Sequence, residues 1–225
     1  MPDTAPADDA LRIAPLPAHP QGLVLLLHGG AERGHRPVDG RSLALRRTLA
    51  MFGVIAPRLA DAGVGAAVLR FSVKGWNGGD PEPSPVPDAR AAIARLHQAH
   101  PDLPIVLLGH SMGARTAAHV ADEPGVVGVV GLAPWFPKDD PIDALSGRHL
   151  IAAHGSRDRI TSPRHTRRFV ERAAEVASSA RFVDMGPLGH YMLRGAPAWN
   201  KVAVSASLDL VRAGCPDVGG VTHGN

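Results

Sequence analysis

The sequence predicts an α/β fold with a mostly parallel sheet of about six strands and helices on both faces. Short apolar runs recur along the chain, and each is followed by a segment with helical periodicity, which is typical of parallel strands joined by crossover helices. The runs lack polar alternation, as expected for strands that helices cover on both sides. The predicted strands are residues 22–27, 64–71, 104–108, 126–132, 149–153 and 181–184.

The segments between the predicted strands carry helical signals. Apolar residues within 86–96 recur every three or four positions, which places them on one face of a helix. Ser162 followed by Pro163 is typical of an N-cap and the first helical position. Residues 43–62 are amphipathic, but Pro57 interrupts them, so we expect a broken or two-part helix there.

Length and composition favour one globular domain. The chain has 225 residues, which is one generous domain at roughly 150 residues each. Apolar residues make up 44% and charged residues 20%, which disfavours disordered and fibrous classes. Residues 1–20 and 214–225 are rich in Pro, Gly, Asp and Thr without periodicity. We therefore expect flexible tails on either side of a single domain at residues 21–213.

Charge and cysteine content restrict the partners. The net charge is +3, and the basic residues are scattered among acids, which argues against nucleic acid as a partner. The single cysteine, Cys215, excludes an intramolecular disulfide and a thiolate metal cluster. His97 and His100 have no carboxylate or thiol at ligand spacing. We expect no metal and no cofactor, and the sequence leaves the oligomeric state open.

The start of the chain differs from a secretory signal. Its first segment contains Asp3, Asp8 and Asp9 and no long apolar run. No apolar stretch approaches the ~20 residues that a bilayer-spanning helix needs. These features predict a cytoplasmic protein without a membrane partner.

The most informative stretch is GHSMGA at residues 109–114, which follows a predicted strand and precedes an Ala-rich helix. It matches the pattern G-x-S-x-G in the strand-turn-helix context that exposes a nucleophilic serine. Such a sharp turn brings neighbouring backbone close, so the flanking positions must be small. Gly109, Gly113 and Ala114 meet this requirement, and Ser111 is the predicted nucleophile.

In this motif the chain resembles the α/β-hydrolase family, and the segment LLHGGA at residues 26–31 extends the resemblance. In that family a His-Gly segment after an early strand directs backbone N–H groups toward the oxyanion, together with the residue after the nucleophile. The resemblance implies Met112 and either Gly30 or Ala31 as donors. For His28 it implies a role in bracing the loop rather than in contacting substrate.

The family's acid follows a late strand, and here HGSRD at residues 154–158 follows the strand at 149–153. Asp158 is therefore the predicted acid, which would accept the N–H of the catalytic histidine and fix its tautomer. Some members place the acid after the preceding strand, and an aspartate within the last strand is a weaker alternative. These competitors are Asp139, Asp140, Asp143 and Asp184.

The catalytic histidine of the family follows the last strand, where His190 ends the glycine-containing loop MGPLGH at residues 185–190. His190 would take the serine proton and return it to the leaving group. Other histidines precede the acid, start a helix or lie in the predicted tail. These are His110, His119, His154, His165 and His223.

Loops at the carboxyl ends of the strands are expected to form the pocket. Trp76 and Trp135 line it in this interpretation, although they could equally cover the sheet edge. The predicted pocket residues are Trp76, Trp135, Phe136, Ile160, Tyr191 and Met192. A charged segment after the oxyanion loop could recognise a substrate carboxylate or form a solvated loop. It contains Glu32, Arg33, His35, Arg36 and Arg41.

The order serine, aspartate, histidine predicts a serine carboxylesterase acting on small carboxylic or thio esters through an acyl-enzyme. Only residues 133–148 separate the fourth and fifth predicted strands, where lipases insert a lid. The chain is therefore similar to small lidless members such as the dienelactone-hydrolase-like group. That group often uses cysteine as nucleophile, so its lactone substrate is not transferred to Ser111. A small serine peptidase or amidase, and a ligand-binding member without catalysis, remain alternatives.

Overall fold

The structure is a computed structural model that describes residues 10–79 and 82–215. Its sheet has seven strands in the order β1-β3-β2-β4-β5-β6-β7, all parallel except β1. The predicted α/β class and mostly parallel sheet are confirmed. The strands are β1 (Leu11–Ile13), β2 (Gly22–Leu27), β3 (Val64–Leu69), β4 (Ile105–His110), β5 (Val126–Leu132), β6 (His149–His154) and β7 (Ser179–Asp184). The helices are α1 (Leu43–Asp61), α2 (Pro85–Ala99), α3 (Met112–His119), α4 (Pro163–Ala173) and α5 (Ala196–Gly214).

The seventh strand, β1, lies in a segment for which the sequence predicted a flexible tail, so that prediction is wrong at Leu11–Ile13. The strand pairs antiparallel with β3, and the amide of Ala14 donates to the carbonyl of Ala66 just beyond it. Leu11 is buried in the core. Three residues are too few to show the alternation of a strand in a sequence. The remaining predicted tail residues, 1–9 and 216–225, lie outside the described residues.

Alternating side chains of the central strands enter two separate apolar cores. On β2, Leu23, Leu25 and Leu27 face a core shared with α2, α3 and α4. Val24 and Leu26 face the opposite core, which is shared with α1 and α5. Every residue of β2 is buried, which explains the continuous apolar run seen in the sequence.

The first helix is continuous from Leu43 to Asp61, so the prediction of a broken helix at Pro57 is wrong. Proline removes one helical hydrogen bond and crowds the carbonyl four residues earlier, which here belongs to Gly53. Both residues are exposed, so water can reach that carbonyl. The opposite face is held in the core by Ile55 and Leu59. Burial of this face therefore outweighs the local cost of the proline.

Two other predicted helices, including the N-cap at Ser162, are confirmed. Helix α2 begins at Pro85 and ends before His100, and Ser162 accepts a hydrogen bond from the amide of His165 at the start of α4. Between β5 and β6 the chain forms only a single 3₁₀ turn, Asp143–Leu145, so the described residues include no lid domain. No helix in the described ranges is long and apolar enough to cross a membrane.

Candidate active site

Ser111 lies at a strained turn between β4 and α3. Its backbone has φ 54° and ψ −116°, in a region that residues with a Cβ rarely adopt. A Cβ on Gly109 would approach the amide nitrogen of Ala114 to 2.3 Å, and one on Gly113 would approach the carbonyl oxygen of Leu27 to 2.2 Å. Both contacts involve backbone atoms, so glycine is required at these positions for the turn to form.

Ser111 opens into a cavity of about 410 Å³ that His190 also lines. Strand β4 ends at His110, so Ser111 projects from the carboxyl edge of the sheet, where ligands of open α/β sheets bind. Within the described residues Ser111 Oγ forms no hydrogen bond, and the serine and His190 are therefore not bonded directly. Such contacts often tighten only when substrate is present.

Asp158 is held as a carboxylate by five hydrogen bonds. The backbone amides of Ile160 and Thr161 donate to Oδ1 at 2.8 and 2.9 Å. His190 Nδ1 lies 2.8 Å from Oδ2, and His154 Nε2 and Thr161 Oγ1 each lie 3.0 Å from the same atom. Burial opposes ionisation, but the bonds from His154, His190 and the two amides hold the pKa of Asp158 far below its usual range.

His154 is a second histidine on the same carboxylate, although it precedes the acid in the chain and was therefore not predicted to belong to the site. Its side chain is fully buried at the end of β6. Its Nδ1 lies 2.8 Å from the hydroxyl of buried Thr166, which donates to Nδ1 if Nε2 carries the hydrogen given to Asp158. The signal in the sequence was a histidine directly after the apolar run LIAA at residues 150–153, because a buried histidine must be hydrogen-bonded.

His110 positions the loop that carries His190. Its Nε2 donates to the backbone carbonyl of His190 at 3.0 Å, and the two rings lie 5.0 Å apart. Burial, and to a lesser extent the neighbouring His190, lowers the pKa of His110 to about 3. Neutral His110, which ends the strand before Ser111, therefore holds the backbone of His190 in place through this hydrogen bond.

The His-Gly loop after β2 is braced by His28. Its Nε2 accepts the amide of Phe71 at 3.1 Å, so Nδ1 carries the hydrogen that it donates to the carbonyl of Gly29 at 2.6 Å. Burial lowers the pKa of His28 to about 4. The amide of Ala31 is already bonded to the carbonyl of Lys74.

The amides of Gly30 and Met112 form no hydrogen bond with the described residues. Gly30 lies so close to Met112 that a Cβ at position 30 would approach the methionine sulfur to 2.5 Å. The His-Gly loop and the start of α3 are therefore in close contact beside Ser111. This arrangement leaves two amides free at the place where the nucleophile emerges.

The competing aspartates have other contacts or lie on the surface. Asp140 is buried, and both of its carboxylate oxygens accept hydrogen bonds from the Arg115 guanidinium. Asp184 is exposed and accepts the amide of Gly186 in a turn. Asp139 and Asp143 are exposed as well.

Of the predicted pocket residues, Ile160 and Tyr191 line the cavity that contains Ser111. Trp76 and Trp135 instead line a separate cavity of about 540 Å³, where the Arg115 guanidinium lies 4.0 and 4.6 Å from their rings. The prediction of Phe136 as a pocket residue is wrong.

Phe136 is buried in the core with its ring stacked on Phe169 at 3.8 Å. Met192 is also buried. The cavity that contains Ser111 has other walls that the sequence analysis did not identify, because they come from the start of α1 and from the loop after His190. These are Leu43, Ala44, Arg47 and Leu193.

With this geometry established, comparison with known proteins gives the family. Residues 22–148 match the family model described as the alpha/beta hydrolase fold. The chain belongs to the α/β-hydrolase family. No curated protein sequence matches it significantly.

Solved α/β-hydrolase structures share this fold at low sequence identity. A serine hydrolase without a lid from Xanthomonas campestris has a TM-score of 0.63 and 16% identity, over 88% of this chain and 87% of that one. A putative hydrolase from Agrobacterium tumefaciens has a TM-score of 0.64 and 15% identity, over 91% and 92%. The esterase domain of a Rhodothermus marinus protein has a TM-score of 0.61 and 17% identity, over 90% and 91%. At these identities the likeness concerns the fold.

Proposed function

We propose that this α/β hydrolase is a serine esterase that cleaves small carboxylic or thio esters through an acyl-enzyme, with Ser111, His190 and Asp158 as its triad. The observation that carries the proposal is the strained Ser111, which opens into one cavity with a histidine bonded to a buried carboxylate. A strained non-glycine residue costs roughly 1–3 kcal/mol and is typical of active sites and of ligand clamps. A protein that only bound ligands would not need a serine, a histidine and an acid together, so this combination argues against the non-catalytic alternative.

The mechanism assigns one role to each group. His190 Nε2 accepts the proton of Ser111 Oγ as that oxygen attacks the carbonyl carbon, and later gives it to the leaving alcohol. Asp158 keeps the hydrogen on Nδ1 of His190 and stabilises the imidazolium that forms. A water molecule, activated by the same histidine, then releases the acid and restores the serine.

Gly30 and Met112 are the proposed oxyanion donors. Both amides are free within the described residues, whereas the amide of Ala31 is bonded to Lys74. Each oxyanion donor typically contributes a factor of about 10²–10³ to kcat. Two such donors at the serine suit a tetrahedral intermediate of acyl transfer.

The experiment that tests the function is labelling with an organophosphate followed by intact mass measurement. We expect one adduct on the wild type, with none on Ser111→Ala, and loss of p-nitrophenyl acetate hydrolysis in that variant. Ser207→Ala removes a buried hydroxyl from α5, away from this cavity, so it provides a matched control and should still be labelled. An unlabelled wild type, or a labelled Ser111→Ala protein, overturns the assignment.

Substrate size follows from the same cavity. Its volume of about 410 Å³ and its short β5–β6 connection leave little enclosed surface for a long chain. A buried methylene contributes about 0.8 kcal/mol, so rate gains should end at roughly C2 to C6 acyl groups. A series of p-nitrophenyl esters and an emulsified triglyceride measure this. A preference for C12 to C16, or activation at the lipid interface, contradicts the open site.

A further inference from the structure

The cavity that contains Ser111 has one fixed charge in its wall, and the mechanism does not use it. Arg47 projects from α1 and lines this cavity with Ser111 and His190. Among the residues that the structure describes, no aspartate or glutamate lines the cavity. A cation in the wall of a reaction cavity is expected to form an ion pair either with an acidic residue of the protein or with a negatively charged group of the ligand.

Arg47 has no acidic partner among the described residues. Two other partly buried arginines have acidic partners, Arg115 with Asp140 and Arg90 with Glu82 and Glu123. The Nε of Arg47, like that of Arg148, is buried without a hydrogen-bond partner in the described part of the chain. Burial also lowers the pKa of Arg47, which means that the surroundings do not compensate its charge.

The position of the guanidinium is fixed even though its charge is not neutralised. Its central carbon lies 4.8 Å from the ring centre of Tyr191, which follows His190 in the chain. A guanidinium over an aromatic ring can still donate through its N–H groups, whose fork matches the two oxygens of a carboxylate. Arg47 therefore offers hydrogen-bond donors for a planar anion in the wall of this cavity.

The mouth of the cavity is apolar. Leu43, Ile160, Tyr191 and Leu193 line it and are 71%, 59%, 49% and 75% exposed. Apolar surroundings exclude water from a bound ligand and strengthen an ion pair inside. The wall chemistry therefore suits a molecule with a short hydrocarbon segment and one negative charge.

We propose that Arg47 binds a carboxylate carried by the substrate, so that the substrates are short esters with a free acid group, such as the half-esters of dicarboxylic acids. This inference rests on the proposed esterase function and narrows its substrate class. Arg47 is the specificity-determining residue, and Tyr191 holds its guanidinium in place.

The test compares esters that differ only in charge. Three anionic esters are used: monoethyl succinate, monoethyl glutarate and monoethyl adipate. Each is paired with a neutral ethyl ester in which an isopropyl group replaces the carboxylate. Hydrolysis is monitored by the alkali needed to keep the pH constant. The measured quantity is the ratio of kcat/KM for the anionic ester to kcat/KM for its neutral partner. We expect Arg47→Met to lower this ratio about 10- to 100-fold for at least one chain length, because this is the typical contribution of a hydrogen bond to a charged group.

Two further variants show whether the effect belongs to this guanidinium. Arg46→Met removes an exposed charge from the neighbouring position of α1 and should leave the ratio unchanged. Arg47→Lys keeps the charge without the fork and should restore part of the ratio. Arg47→Gln replaces the methionine variant if that protein does not fold. A ratio that stays within twofold in Arg47→Met, or an equal fall for both esters, overturns the proposal, because an equal fall indicates packing or oxyanion binding.

A binding measurement separates this inference from the proposed function. Calorimetry on Ser111→Ala with monoethyl glutarate requires no turnover, and the double variant with Arg47→Met should bind at least about tenfold more weakly. Added salt should weaken binding to Ser111→Ala but not to the double variant. If the wild type hydrolyses no ester but these binding differences hold, the esterase fails and the anion site stands. Equal binding by both variants refutes the anion site whatever the activity.

Discussion

The neutral buried histidines predict that stability falls as the protein is acidified from pH 7 to pH 5. Burial lowers the pKa of His28 from 6.5 to about 4 and that of His110 to about 3. In this pH range the unfolded chain binds protons at both positions and the folded protein does not. The free energy of unfolding therefore decreases as the pH falls through the unfolded pKa toward the folded one.

The size of the loss follows from the two pKa values of each histidine. At pH 5 the shift of His28 contributes about 2 kcal/mol less to stability than at pH 7, since one pKa unit equals about 1.4 kcal/mol. His110 contributes a similar amount, so the expected total is about 4 kcal/mol. In neutral His28, Nδ1 carries the hydrogen donated to the carbonyl of Gly29, and Nε2 accepts a second hydrogen bond from the amide of Phe71. Protonation breaks that second bond.

Urea unfolding at pH 7 and pH 5 measures this loss. His28→Gln cannot titrate, so its stability should fall by about 2 kcal/mol less than that of the wild type over the same range. His19→Gln, at an exposed position, is the matched control and should behave as the wild type. An equal free energy of unfolding at both pH values in the wild type, or an undiminished loss in His28→Gln, would refute the reasoning.

Three further predictions concern other parts of the site. Asp158→Asn should lower kcat for ester hydrolysis about 10⁴-fold without unfolding the protein, whereas Asp139→Asn should leave kcat nearly unchanged. A large loss of activity in Asp139→Asn would instead identify Asp139 as the catalytic acid. His154→Leu removes one hydrogen bond to Asp158 and should reduce kcat more than it changes KM. An unchanged kcat in ester hydrolysis would leave His154 without a positioning role. Gly113→Ala should abolish hydrolysis and lower the thermal unfolding temperature, because the added Cβ would clash with the carbonyl of Leu27. A variant that remains active and unfolds at the wild-type temperature would contradict a tight turn.

Features governed by local sequence were predictable. The buried strands show as apolar runs, and the helix starting after Ser162 has an N-cap and proline in sequence. The turn at Ser111 requires small neighbours, and Gly109 and Gly113 are readable as such. Each of these signals lies within a few residues of the feature that it specifies.

Features governed by distant packing were not predictable. Strand β1 forms because β3 offers an edge, and α1 remains whole because its apolar face is buried against the sheet. Phe136 was assigned to the pocket, but Phe169 draws it into the core. Arg47 reaches the cavity from a helix more than sixty residues before Ser111, and His154 contacts Asp158 only because β6 ends beside it.

The two outer strands of the sheet bear on how molecules of this protein meet one another. Strand β1 has only three residues, with Arg12 exposed, and β7 has Ser179, Arg181 and Asp184 exposed. Short strands and charged side chains at a sheet edge disfavour pairing with a strand from another molecule. The long apolar strands β2, β3 and β4, which would be prone to amyloid-like stacking if they were exposed, are kept inside the sheet. The strand order thus protects the most aggregation-prone segments of the chain.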